Sequence, residues 1–188
     1  MKKGLLVVGM IVVLIGGFLI GSYNGLASSR ENIASAQADI DTMLQRRADL
    51  IPNLVSTVKS FAAHETEGYD AVLEARTQLM NASTMQDKAD ADAALDAALT
   101  QLNVVVEAYP ELKSDTTYIG LMDELAGSEN RISTARKDYN EVVRSYNQRI
   151  VTFPTSILAN MFGFTKADYF EAAAGAATTP DVGALLGK

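Results

Sequence analysis

Residues 117–153 have the sequence TYIGLMDELAGSENRISTARKDYNEVVRSYNQRIVTF. Apolar or aromatic side chains recur in it at every seventh position: Tyr118, Leu125, Ile132, Tyr139, Tyr146 and Phe153. This spacing places them on one face of an α-helix, while charged residues occupy the other faces. A helix that is apolar on one face only must bury that face, so the stretch predicts packing against other helices.

Three earlier segments carry the same kind of pattern. In the first, Ile33, Ile40 and Leu54 recur at multiples of seven residues. Pro52 lies inside this segment and lacks a backbone N–H, so we expect it to kink or locally break the helix. No segment alternates in the way of a strand, and the predicted fold is an all-α antiparallel four-helix bundle. The helices are predicted at about residues 28–64, from 69 to about 81–84, 85–108 and 117–152.

The N-terminal segment has a different character. No charged residue occurs from Gly4 to Ser29. The continuous apolar run Leu5–Ile20 makes about 24 Å of helix, and about 28 Å when extended to Tyr23. This nearly matches the roughly 30 Å hydrocarbon core of a bilayer, with Tyr23 at the interface. We therefore predict one transmembrane anchor, residues 1–27, in front of the bundle.

A cleaved signal peptide is the alternative for this segment. Lys2 and Lys3 form a suitable n-region, and Gly25-Leu26-Ala27 is a candidate cleavage site. The apolar run is slightly long for an h-region, which favours a retained anchor. The two lysines outweigh Arg30 on the other flank, so the positive-inside rule predicts a cytoplasmic N-terminus with the bulk of the chain extracytoplasmic.

Three anchor glycines lie at intervals of four residues, at Gly17, Gly21 and Gly25. They share one helix face, where the bare backbone allows a second helix to approach closely. This predicts an oligomerisation face and a homo-oligomer. Glycine is common in membrane helices, so a coincidental spacing is the alternative.

Composition limits the chemistry that the chain can perform. It has no Cys and one His, so a thiolate site or a conventional zinc site is not expected, and we predict no catalytic residues, metal or cofactor. Residues 65–129 hold 14 acidic and three basic side chains, which argues against binding nucleic acid. This acidic surface is interpreted either as a solvated helix face or as a site for a basic partner.

Two charged residues interrupt the apolar stripes. Arg47 occupies the position between Ile40 and Leu54, and Glu129 lies beside the stripe of the last helix. In an up-down-up-down bundle the two lie within about 8 Å of the same height, at about 1.5 Å per residue. A buried Arg47–Glu129 pair is one interpretation. The other is that both side chains reach solvent.

The segment after the last helix is apolar again. No charge occurs in Ile150–Thr165, and Pro154 makes it too interrupted to span a bilayer. By height it lies next to the membrane, so residues 154–170 form either a lipid-contacting segment or a cap on the bundle (28–153). Residues 171–188 lack a pattern and are predicted to be a mobile tail. The candidate contact residues are Phe153, Ile157, Leu158, Met161 and Phe162.

Several motifs together resemble the LemA family. RRADLIPNLV at residues 46–55 and YPELK at 109–113 carry most of the resemblance, which extends in order over about residues 23–170. Two small departures from the family pattern occur. Gln45 stands where Lys is usual, and Thr117-Tyr118 stands where an aromatic residue often follows the YPELK turn. Shorter matches are Tyr23-Asn24, Ile40-Asp41, Glu129-Asn130-Arg131-Ile132, Ala135-Arg136, Tyr139-Asn140, Tyr146-Asn147 and Phe153-Pro154.

The resemblance implies an inner- or plasma-membrane protein with one N-terminal helix and an antiparallel helical bundle. It supplies no catalytic residues, and descriptions of the family often put the short N-terminus outside the cell, against the charge count. Our first hypothesis is a membrane-tethered scaffold that self-associates and organises proteins or lipid at the membrane surface. The second is a regulatory or adaptor subunit of a membrane peptidase, with that membrane protein as its partner. The third is a secreted enzyme.

Overall fold

The computed structural model describes residues 2–171, which form α-helices joined by short turns. The helices are α1 (Lys2–Phe61), α2 (Thr66–Asn81), α3 (Met85–Val106), α4 (Pro110–Lys113), α5 (Thr116–Val151) and α6 (Thr155–Met161). No strand occurs in this part of the chain, so the predicted all-α class is confirmed. The predicted mobile tail lies outside the described residues, apart from Glu171.

The helix limits follow local signals in the sequence. Thr84 caps α3 through a capping box, in which its hydroxyl accepts the Asp87 N–H at 3.0 Å and the Asp87 carboxylate accepts the Thr84 N–H at 3.1 Å. The α5 helix begins behind Asp115, whose carboxylate accepts the Tyr118 N–H at 2.9 Å. Pro110 occupies the first turn of α4, where a missing N–H costs nothing.

The break expected at Pro52 is not found, because α1 continues through it to Phe61. Pro52 lies on the exposed face, while Ile51 and Leu54 beside it are fully buried. The loss of one backbone hydrogen bond on the solvent side is therefore offset by the packing of the opposite face. Here tertiary burial outweighs the local preference.

Two compact units divide the chain. Of the described residues, 2–40 and 135–169 make up the anchor unit, and 41–134 with 170–171 make up the bundle unit. Both α1 and α5 contribute to each unit. The limits predicted at residues 27 and 153 do not coincide with this grouping.

The bundle unit is an antiparallel four-helix bundle. Its helices are the end of α1, α2, α3 and the start of α5, joined in sequence by short connections so that neighbours run in opposite directions. Polar contacts mark the neighbours: the Arg76 side chain of α2 donates to the Ala48 carbonyl of α1 at 2.8 Å, and Tyr118 of α5 donates to Asn103 of α3 at 2.6 Å. Its fully buried apolar residues include Ile51, Leu54, Val58, Val72, Leu95, Leu102, Leu112 and Ile132.

The anchor unit packs the other part of α5 and α6 against α1. Its core contains Leu26, Ile33, Ile40, Tyr139, Val143, Tyr146, Ile150 and Leu158. The seven-residue stripe of α5 is therefore buried through Tyr146, whereas Phe153 lies beyond the end of the helix and is exposed. Residues 163–169 follow α6 without regular structure and are called the strap below.

Within the described residues, one helix is long and apolar enough to cross a membrane, and it is α1. Its side chains from Leu6 to Ile20 are almost all exposed to the surroundings. An apolar helix surface of this length is stable only in a non-aqueous medium, which agrees with the predicted anchor.

Candidate functional site

A buried charge cluster lies in the bundle unit. The Arg47 guanidinium donates from Nη1 to Asp92 at 2.5 Å and to Glu129 at 2.7 Å, and from Nη2 to Asp96. The structure thus brings together Arg47 and Glu129, which the sequence analysis paired. It adds two carboxylates of α3 that were missed.

Burial differs strongly among the three partners of Arg47. The side chains of Arg47 and Asp92 are 3% and 1% exposed, whereas those of Glu129 and Asp96 are 35% and 50% exposed. The pair that depends most on mutual neutralisation is therefore Arg47–Asp92. Burial works against the charge of Arg47, but Asp92, Asp96 and Glu129 outweigh it and raise the pKa of Arg47 above its ordinary value.

The signal for Asp92 was present in the sequence. Asp92 precedes Leu95, Leu99, Leu102 and Val106 with the alternating three- and four-residue spacing of one helix face. An Asp in that stripe is buried with the rest, and so is Lys88 one turn earlier, which donates to Asp41 of α1 at 2.5 Å.

The three carboxylates also have the spacing of a cation site. One oxygen each of Asp92, Asp96 and Glu129 lies within 4.8 Å of the others. The Arg47 guanidinium bonds to all three, so one positive charge of the chain faces three negative charges. These contacts are those of an ion-pair cluster.

An apolar surface lies in the anchor unit, on α6 and the residues beside it. Ile157, Met161, Phe162 and Phe153 are each at least half exposed. Leu158 is only 3% exposed and belongs to the core. The candidate contact residues thus divide in two: Leu158 is a packing residue, whereas the other four form what we call the apolar platform (Phe153, Ile157, Met161, Phe162).

The apolar platform lies beside the exit of the anchor. The Tyr23 ring packs edge-to-face on Phe162, with 5.1 Å between ring centroids, and on Phe164 at 5.8 Å. Tyr23 is the residue expected at the membrane interface. Because Phe162 touches it directly, the apolar platform begins at the level of Tyr23 on α1.

The strap is fixed to α5 by side-chain hydrogen bonds. Asn147 donates to the Ala167 carbonyl at 2.8 Å and accepts the Ala167 N–H at 2.9 Å. The Tyr146 and Tyr139 hydroxyls donate to the carbonyls of Thr165 at 2.8 Å and Asp168 at 3.0 Å. These bonds satisfy backbone groups that have no helix or sheet partner.

Burial raises the pKa of both strap-binding tyrosines above the ordinary value. Near Tyr139 the Asp168 charge acts in the same direction, whereas near Tyr146 the Arg30 charge opposes the shift. The hydroxyls are therefore held in the protonated form that donates to the strap.

The anchor glycines differ in their surroundings. A Cβ atom added at Gly17 or Gly21 would meet nothing within 4 Å, but one added at Gly25 would lie 3.2 Å from Arg149 Nη2. Arg149 also donates to the Gly25 carbonyl at 3.2 Å and to the Ser29 hydroxyl at 2.6 Å. Gly25 therefore belongs to the contact with α5, and the open glycine face consists of Gly17 and Gly21.

The fold and these sites define a class: a membrane-associated, all-α protein with one N-terminal span and a helical bundle. The sequence pattern of the LemA family matches residues 36–183, more than three quarters of the chain. The chain therefore belongs to the LemA family.

Similar proteins of two kinds support this membership. The chain is 32% identical over 179 residues to the magnetosome proteins MamQ 1 and MamQ 2 of Paramagnetospirillum magneticum, with 81% of this chain and 66% of each relative covered. It is 23% identical over 154 residues to the protein LemA of Metamycoplasma hominis, with 81% and 70% covered. The chain thus spans slightly less than two thirds of the magnetosome proteins that it matches.

Proposed function

We propose that this protein is a non-catalytic, membrane-tethered scaffold that self-associates and applies the apolar platform to the lipid surface. The observation that carries the proposal is the exposure of Phe153, Ile157 and Met161 on a segment whose Phe162 touches Tyr23. Fully burying an apolar side chain of this size contributes about 1.5–3 kcal/mol. The nearest apolar medium that can supply this burial is the bilayer that holds the anchor.

The non-catalytic part of the proposal is supported by the chemistry of the chain. It has no Cys, so a Cys–His pair is excluded, and its single His allows at most one Ser–His or Thr–His pair. In the most buried ionisable cluster, the Arg47 guanidinium bonds to all three carboxylates, so these groups are engaged with one another.

Tryptophan fluorescence gives a direct test, because the sequence contains no Trp. Full-length protein carrying Ile157→Trp or Met161→Trp is reconstituted into bilayers that contain brominated phospholipid. We expect quenching at both positions, as in the positive control Phe18→Trp inside the anchor. Lys137→Trp is the matched exposed control, since it lies 14 residues before Val151 on α5, or about 21 Å along the helix. Absence of quenching at 157 and 161 contradicts the lipid contact.

Self-association is tested separately. Native mass spectrometry of the protein extracted in mild detergent distinguishes homo-oligomers from a complex with a second polypeptide. Homo-oligomers support the scaffold, whereas a second polypeptide in stoichiometric amount supports the adaptor hypothesis.

We further propose that the N-terminus is cytoplasmic and the bulk of the chain extracytoplasmic, on the basis of Lys2 and Lys3. The absence of Cys makes the chain suitable for single-cysteine labelling. A membrane-impermeant maleimide should label the exposed Ser83→Cys in intact cells and leave Lys3→Cys unlabelled. The reverse pattern contradicts this orientation.

A further inference from the structure

A cleft of about 310 Å³ lies in the anchor unit between α1 and the strap. Its volume is at the lower end of the roughly 300–1,000 Å³ range of small-molecule sites. One wall is α1 with Arg30, and the other is the strap with Lys166. Phe164, which touches Tyr23, lies at its edge, so the cleft begins at the same level as the apolar platform.

The cleft contains two basic residues, Arg30 and Lys166. Arg30 and Lys166 are both exposed, and neither takes part in an ion pair with the residues that the structure describes. Of the other basic residues in this unit, Arg144 pairs with Glu141 at 3.3 Å, whereas Arg149 donates to the uncharged carbonyl of Gly25 and hydroxyl of Ser29. The cleft thus carries a local excess of positive charge in a protein with a net charge of -7.

The position of Lys166 is fixed by its neighbours in sequence. Tyr146 holds the carbonyl of Thr165, and Asn147 holds both backbone groups of Ala167. Gly163 turns the chain from α6 into the strap at a φ of 74°, a conformation that favours glycine. Three hydrogen bonds and the turn at Gly163 therefore fix the backbone on both sides of Lys166, on the wall of the cleft that faces α1, which pre-organises this part of the site.

Arg30 lies just beyond the expected headgroup layer along α1. It follows Tyr23 by seven residues, or about 10.5 Å, whereas each headgroup layer is about 5–8 Å thick. The Cα–Cβ bonds of a helix tilt toward its N-terminus, which for α1 is the membrane side. A long arginine side chain leaning in that direction reaches the phosphate level.

We propose that this cleft binds the phosphate headgroup of an anionic phospholipid in the leaflet that the apolar platform contacts. Arg30 and Lys166 neutralise the phosphodiester, while the acyl chains pass Phe164 toward the hydrocarbon core. The proposal rests on the lipid contact of the apolar platform and adds a choice of lipid: the site favours anionic over zwitterionic headgroups.

Lipid retention by the full-length protein tests the proposal. The protein in neutral detergent is titrated with dioctanoyl phosphatidylglycerol, with dioctanoyl phosphatidylcholine and with inorganic phosphate, and bound ligands are counted by native mass spectrometry. We expect phosphatidylglycerol to bind more tightly than phosphatidylcholine. A basic residue near an anionic lipid surface is worth roughly a fivefold change, so Arg30→Gln with Lys166→Gln should weaken phosphatidylglycerol binding about thirtyfold.

The matched control is Lys137→Gln with Arg144→Gln, which removes the same charge from exposed positions of the same unit. This control should change the affinity for phosphatidylglycerol by less than about twofold. Equal binding of both lipids, an equal loss in the control, or tight binding of inorganic phosphate alone overturns the proposal. The double variant Ile157→Ser with Met161→Ser tests the apolar platform separately. If it weakens the binding of both lipids equally, the platform contacts lipid whether or not the cleft selects the headgroup. A failure of the cleft proposal can therefore be distinguished from a failure of the platform proposal.

Discussion

Arg47 and Asp92 face each other across a 2.5 Å hydrogen bond with almost no access to solvent on either side. Removing one partner of such a pair leaves the other charge buried and uncompensated, at a cost of about 3–5 kcal/mol. We expect Arg47→Met to lower the free energy of unfolding by this amount, measured by denaturant titration of the full-length protein in detergent.

A second substitution that restores stability identifies the carboxylate whose charge Arg47 compensates most. Arg47→Met combined with Asp92→Leu should recover most of the loss, because no buried charge remains. Arg47→Met with Glu129→Leu should recover little, since Asp92 is still present and Glu129 is partly exposed. Equal rescue by both double variants contradicts the assignment of Asp92 as the critical partner.

A substitution at Ser128 is expected to raise the stability of the protein rather than lower it. Its hydroxyl is fully buried and has no hydrogen-bond partner among the described residues. An unsatisfied buried polar group costs about 1–3 kcal/mol, so Ser128→Ala should stabilise the protein by about 1 kcal/mol. Thermal unfolding followed by circular dichroism measures the change. A fall in stability indicates that the hydroxyl has a bound water as partner.

The adjacent residues Ile157 and Leu158 separate lipid contact from packing. Leu158→Ser should lower the free energy of unfolding by about 2–5 kcal/mol, because Leu158 lies in the core. Ile157→Ser, at an exposed position, should change it by less than about 0.5 kcal/mol in detergent. Denaturant titration compares the two variants. Similar losses at both positions mean that the segment is a cap and that the apolar platform does not exist.

Self-association through the anchor depends on two glycines. Gly17→Ile with Gly21→Ile should weaken the oligomer, because the open backbone face that permits close approach is lost. A membrane two-hybrid reporter or cross-linking of the full-length protein provides the measurement. The control is Gly16→Ile, which adds the same side chain about 100° away around the helix. Oligomers that survive the double change use a different interface.

The two α5 tyrosines that bond to the strap, Tyr139 and Tyr146, should make its stability fall at alkaline pH. Because the folded state raises the pKa of Tyr139 and Tyr146, their contribution is complete below the ordinary tyrosine value of about 10 and is lost as the pH rises through the folded values. Hydrogen exchange of the strap amides between pH 9 and about 11 should reveal this release.

The variant Tyr139→Phe with Tyr146→Phe should weaken the strap at neutral pH and remove most of its alkaline dependence. Tyr169→Phe, at an exposed position of the same unit, should leave the dependence unchanged. A double variant that keeps the wild-type pH profile shows that other groups control the strap.

The helices themselves were predictable, because their signals are local. The seven-residue stripe of α5, the Thr84 cap and the Tyr109-Pro110 stop depend on neighbours in sequence. The contact of Arg47 with Glu129 followed from the height along antiparallel helices. The strap was not predictable, since its order depends on Asn147 and two tyrosines about 20 to 30 residues away. The sequence signal for the strap was the presence of two tyrosines, Tyr139 and Tyr146, in the buried stripe of α5, because a buried tyrosine hydroxyl needs a hydrogen-bond partner.

The charge cluster also has a consequence for the alignment of the helices. A slip of α1 by one heptad would keep its apolar side chains in register with the core but would move Arg47 by about 10.5 Å. The guanidinium would then lie among apolar side chains, and Asp92 would lose its hydrogen bond to Arg47. A repeating apolar stripe cannot distinguish these two arrangements by itself. One arginine at a single position can, and it makes the wrong alignment more costly than the correct one.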